Sequence, residues 1–169
     1  MTVAYESLLP EILPVVAGCT DTLVEGTIRA AAIEFCERTG AYQVEIDPLT
    51  TVSGIYEYDL EPPTGTVVHK IVSAVFKGDD LEPVSSNVLE QRLPNWRNAA
   101  HFSAPQYYIQ QSASLFWLVP VPNELSVNST ILRVQLKPTQ SSTTCDEKIM
   151  DEYRDTIVNG ALFRLLRMP

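Results

Sequence analysis

The chain has 169 residues, 45% of them apolar and 20% charged, which suits one water-soluble domain and lies outside disordered and membrane-spanning compositions. A formal net charge of −9 argues against ordinary duplex binding, which needs Lys and Arg gathered on one face. The longest apolar stretches, 8–17 and 115–121, are broken by proline or fall short of the ~20 residues of a membrane span, and no basic segment precedes an apolar run, so neither a span nor a secretory signal is predicted.

Apolar residues at 8, 9, 12, 13, 15 and 16 predict a first helix over 5–16, shortened or kinked by Pro10 and Pro14 and ended at Gly18. Thr22 and Glu25, in capping-box spacing, predict the start of a longer helix with the stripe Ile28, Ala31, Ala32 and Phe35, which Gly40 ends. From Tyr42 the period becomes alternating. Tyr42, Val44 and Ile46, then Tyr56, Tyr58 and Leu60, mark two half-buried strands.

Residues 67–77 predict a longer strand, followed by a turn at Gly78-Asp79-Asp80 and a short strand ending at Pro83. Ser85 or Ser86 caps a small helix through Leu93, and 95–104 form a loop longer than the usual four to six residues. A second hairpin is predicted over 106–110 and 114–119, with Tyr107, Tyr108, Phe116 and Trp117 supplying core area. Another strand covers 129–136 and a polar linker 138–143. Thr144 and Glu147 open a last helix to about Met168, whose stripe Ile149, Tyr153, Ile157, Ala161 and Leu165 needs a partner surface.

The expected fold class is therefore α+β: a helical bundle formed by the N-terminal and C-terminal helices (1–40 and 144–169), with a central antiparallel β-sandwich-like section (41–143), all in one domain, 1–169.

Reactive constellations are sparse. His69, in a strand, and His101, in the long loop, are the two imidazoles, and neither belongs to a catalytic signature. Cys19, Cys36 and Cys145 are too far apart for a zinc pair and read as buried reduced thiols. The seven glycines form no phosphate-binding loop. No catalytic residue, cofactor or metal site is expected, and the chain reads as a structural interaction protein rather than an enzyme. Asn128-Ser129-Thr130 matches a glycosylation acceptor, but without a secretory route it reads as a strand start.

Two surface features remain. Glu147, Asp151 and Asp155 form a ridge on the last helix, either a solvated face or a docking strip for a basic partner. Trp96 and Arg97, in the long loop, are candidate partner contacts because these residue types are enriched at interface hot spots; the alternative tucks Trp96 over the sandwich edge.

Several segments occur in a familiar order: Leu8-Leu9-Pro10-Glu11-Ile12-Leu13-Pro14 with Gly18-Cys19, then Ala31-Ala32-Ile33-Glu34-Phe35-Cys36-Glu37-Arg38-Thr39. Tyr58-Asp59-Leu60, Leu81-Glu82-Pro83, Pro105-Gln106-Tyr107-Tyr108 and Pro120-Val121-Pro122 follow, and then Gly160-Ala161-Leu162 and Arg164-Leu165-Leu166-Arg167-Met168-Pro169. Over nearly the whole chain this resembles the head-to-tail adaptor (connector) proteins of short-tailed tailed bacteriophages.

The resemblance implies a virion structural protein made in the host cytoplasm and placed at the head-tail junction or tail. It implies a homo-oligomeric ring, typically dodecameric, that docks on the portal protein and carries the tail nozzle or tail tube protein. DNA would cross the lumen without sequence-specific binding, and no membrane is involved. Arg164, Arg167, Met168 and Pro169 become candidate portal contacts, with the terminal helices facing the portal and the β section facing the tail. Another tail or head-completion ring component is the alternative, and a sugar-binding or hydrolytic tail β-sandwich protein a more distant one.

Overall fold

The structure, a computed structural model, describes residues Met1–Met168. In chain order, Thr2–Ala4 forms β1, a 3-10 turn covers Tyr5–Leu8, and the helices α1 (Leu9–Ile12) and α2 (Asp21–Thr39) follow. Then come β2 (Gln43–Thr51), β3 (Glu57–Asp59), β4 (Thr66–Phe76), β5 (Asp79–Asp80), β6 (Glu82–Pro83) and the helix α3 (Ser86–Arg92). A 3-10 turn at Ala99–His101 leads to β7 (Tyr107–Gln110), β8 (Leu115–Val119), β9 (Ser126–Pro138), β10 (Thr144–Asp146) and α4 (Glu147–Leu165). These elements form two compact units, one from Met1–Tyr42, Pro63–Val67 and the segment beginning at Leu136, the other from Gln43–Pro62 and Val68–Gln135.

In the first unit, prolines decide where helix begins and ends. Pro10 sits in the first turn of α1, where its missing N–H removes no hydrogen bond, and α1 stops before Pro14. The expected helix over 5–16 is accordingly a 3-10 turn and one short α-helix. Thr20, not Thr22, caps α2: it has extended φ/ψ, and its Oγ1 accepts from Leu23 N at 3.4 Å. Gly40 ends α2 in the left-handed region, φ 61°, as glycine does without steric cost.

The start of α4 differs from expectation for a similar reason. Thr144 is occupied in β10, paired with Ala4 of β1, so Asp146 becomes the cap and accepts from Lys148 N at 2.9 Å. Non-helical φ/ψ at Tyr153 kinks α4, and the Tyr153 ring packs 4.8 Å from that of Phe35 on α2. Ile28, Ala31 and Ala32 of α2 and Ile157, Val158 and Ala161 of α4 are buried. The helices approach closely at Gly160, where a Cβ would lie 3.5 Å from Ala31 Cβ, an ordinary van der Waals contact.

Two thiols belong to this core. Burial pushes Cys36 up to about 12 and Cys145 up to about 11, while Cys19 is partly exposed. The thiolate is the reacting species, and at about pH 8 a thiol with a pKa near 12 is ionised in roughly one molecule in ten thousand. A thiol reagent is therefore expected to modify Cys19 of the native chain, leaving the other two until denaturant is added. Mass spectrometry of the labelled chain reads this, and early labelling at Cys36 or Cys145 would contradict their burial.

In the second unit, two four-stranded sheets run in the orders β2-β9-β4-β5 and β3-β8-β7-β6. β4 and β5 join through Lys77 and Gly78, both at positive φ, so the turn falls one residue earlier than the sequence indicated. Burial at Val68, Ile71, Ala74 and Phe76 shows that β4 does not keep a strict period of two. The Gln110 side chain satisfies part of it, accepting from Ile71 N at 2.9 Å and donating to His69 O at 3.4 Å. The predicted hairpin of β7 and β8 is present, with Tyr108 opposite Leu118 and Gln110 opposite Phe116.

The bundle-and-sandwich arrangement expected from the sequence is overturned. The chain is α+β, but its helices are scattered: α3 lies between β6 and β7, and α1 is little more than one turn. The strands form three sheets among the described residues, one of them the two-stranded β1–β10 pair within the helical unit. β6 leaves its neighbour β5 to run parallel to β7, with Glu82 opposite Tyr107, so the strand region is mixed and not an antiparallel sandwich. Strands of two or three residues are too short to show a period, which is why none of this could be read from hydrophobic spacing.

Candidate functional site

The segment predicted as a long loop after α3 contributes Trp96 to an aromatic cluster with Tyr56 and Trp117. Trp96 is 3% exposed and packs with Leu89, Ile109, Val119 and Val121, placed there by the short α3 and the turn at Asn95, φ 62°. Its ring centroid lies 5.1 Å from Tyr56 and 5.9 Å from Trp117, and Tyr56 meets Trp117 edge to face at 5.4 Å. Trp117 Nε1 donates to Glu57 Oε2 at 2.9 Å.

Arg97 closes the cluster. Its guanidinium carbon lies 4.2 Å from the centre of the Trp96 ring, 5.3 Å from Trp117 and 5.8 Å from Tyr56. The side chain is exposed and beside an open depression of about 630 Å³ lined by Glu90 and residues 94–98. The sequence paired Trp96 with Arg97; the structure divides their tasks, burying the indole as a platform and leaving the guanidinium at the surface. Tyr56, Glu57 and Trp117 were not among the sequence candidates. Tyr56 and Trp117 are separated from Trp96 by 40 and 21 positions, so only the spatial approach of β3 and β8 reveals the cluster.

At the end of α4 the structure places a different set. Arg164 pairs with Glu34, which Arg38 also contacts at 2.6 Å, and the Arg164 hydrogen bond, followed by the Arg38 charge, holds the Glu34 carboxyl below its usual range. Arg164 is thus tied to α2. Arg167 lies over the Phe163 ring at 5.1 Å, and Phe163, Leu166 and Met168 are 62%, 64% and 48% exposed. Pro169 lies outside the described residues.

The acidic ridge divides as well. Glu147 lies 4.0 Å from the N-terminal ammonium, and Arg154 is engaged by Glu11, while Asp151 and Asp155 are exposed and make no ion pair among the described residues. His69 is exposed on β4, and His101 borders a depression of about 380 Å³ with Trp96, Gln106 and Pro120. Among the described residues no group of three or more His, Cys, Asp or Glu side chains is placed to hold a metal ion. No helix among them is long and apolar enough to cross a membrane.

The arrangement therefore offers contact surfaces: a guanidinium on an aromatic platform, an apolar helix end and a free acidic pair. A family model described as SU10 adaptor protein matches residues 5–169, and with them nearly every element above. No curated protein matches the chain. The match takes in both compact units and the Arg97 cluster, and the chain belongs to the SU10 adaptor protein family.

Proposed function

We propose that this phage structural adaptor, a component of the virion, assembles as a dodecameric ring that docks on the portal protein and joins it to the tail nozzle or tail tube protein of a short-tailed phage. The observation that carries this reading is the family match across residues 5–169. The whole chain acts as one adaptor module, without catalysis. Arg167 and Met168, at the exposed end of α4, and Pro169 supply the portal contact, with Arg164 fixing the helix end against Glu34.

DNA crosses the ring lumen without being held. A net charge of −9 per copy supports this, because each phosphate neutralised by Lys or Arg would add affinity and retard sliding. The test is to mix the purified chain with the portal ring of its own phage and image the product. A ring-shaped layer on one face of the portal is expected. Failure to bind portal, with association only to tail proteins, would sink the reading. A lumen wall lined with Lys and Arg in the same map would refute the sliding argument alone.

A further inference from the structure

Six of the twelve Lys and Arg side chains pair with a glutamate among the described residues. Arg38, Arg154, Arg164 and Lys137 pair with glutamates in the first unit, and Lys77 and Arg92 in the second. Arg97 has none among the described residues: three rings lie beneath it, and the Glu57 carboxylate accepts from the Trp117 N–H. Stacking fixes the plane of a guanidinium but uses none of its five N–H donors. The fork is therefore held in place with its hydrogen-bonding capacity unspent, and a carboxylate is the group that fits it two-handed. The rings beside it supply the dry surroundings in which such a contact is strongest.

The partner whose surface chemistry is known is a second copy of this chain. It carries 21 acidic residues against 12 basic ones. On α4 it presents Asp151 and Asp155, one helical turn apart, both exposed and without an ion pair among the described residues. We infer that the Arg97 guanidinium of one copy docks on the Asp151 and Asp155 carboxylates of the next. The two halves of this contact belong to different units of the chain, and engaged head to tail from copy to copy it closes a ring. The inference rests on the ring reading and names the contact that joins its copies.

Sedimentation velocity of the full chain at low salt, roughly 0.02 M, where surface charges are little screened, reads the contact directly. The wild-type chain is expected to self-associate with rising concentration. Arg97→Glu, and separately Asp151→Arg with Asp155→Arg, weaken association at least about tenfold through like-charge apposition, and the chain carrying all three substitutions regains it. Arg97→Lys keeps the charge, loses the planar fork, and weakens association about threefold or more. Tryptophan fluorescence and circular dichroism establish that each variant is folded. A wild-type chain that stays monomeric at every concentration, an Arg97→Glu chain that associates like wild type, or a triple variant that does not recover overturns the inference. Portal imaging separates the two levels: portal decoration that ignores Arg97 removes this contact and leaves the ring reading, whereas absent decoration removes the ring reading.

Discussion

Trp96→Ala is expected to lower the stability of the second unit by about 3–5 kcal/mol, the cost of emptying a buried aromatic site, whereas Arg97→Ala costs no more than about 1 kcal/mol. The two residues are neighbours in sequence, and exposure separates them. Trp96 is 3% exposed and contacts α3, β7 and β8 side chains through Leu89, Ile109 and Val119; Arg97 is exposed and lies over ring faces. Both tryptophans of the chain, Trp96 and Trp117, lie in the second unit, so their fluorescence follows its unfolding. In Trp96→Ala the remaining Trp117 reports alone. Urea melts followed this way give the comparison, and a Trp96→Ala cost below about 1 kcal/mol would show that the platform is not part of the core. The pair also separates folding from docking, because Arg97 can be changed for the self-association test without loosening what supports it.

How far this was visible in the sequence depends on how local each signal is. The long helices α2 and α4 and the β7–β8 hairpin carry their own periodicity and fall close to where the spacing put them. Their caps are a finer matter. Thr22 and Thr144 stand at capping-box spacing from Glu25 and Glu147, yet Thr20 and Asp146 have the extended backbone and accept the bonds. At Thr144 the deciding force is distant: pairing with Ala4 draws it into a strand. The same remoteness hid the architecture. β1, β6 and β10 have two or three residues each, and their partners are set by tertiary contact, so the scattered helices and the mixed sheet had no signature in any single window. For the Arg97 cluster, the sequence offered Trp96 and Arg97 by residue type, but the Tyr56 and Trp117 rings arrive from β-strand neighbourhoods far along the chain.

Tyr5 provides the second large effect, and it has opposite signs for two substitutions. The side chain is 1% exposed and is among the largest fully buried ones. Its backbone N–H donates to Thr143 O at 3.1 Å, which extends the β1–β10 pairing by one bond, but among the described residues its hydroxyl makes no hydrogen bond of normal geometry. The neighbouring Ser142 hydroxyl spends its proton on Thr144 O at 2.5 Å and accepts from Thr144 N at 3.3 Å, so it meets the phenol only weakly. Burial, then the Cys145 charge, pushes the phenol well above its ordinary range against a smaller opposing effect of Ser142, so the group stays neutral, and what remains is the desolvation cost of a poorly paired hydroxyl. Tyr5→Phe keeps the ring and deletes that group; it is expected to raise stability by about 1 kcal/mol. Tyr5→Ala empties the site and is expected to lower stability by about 3–5 kcal/mol, releasing the N-terminal strand from β10. The long helices belong to the first unit, so far-UV circular dichroism during urea unfolding follows the affected part of the molecule. A loss of more than about 1 kcal/mol in Tyr5→Phe would mean that the hydroxyl is bonded after all, and would return Tyr5 from a packing residue to a polar clasp on the N-terminal strand.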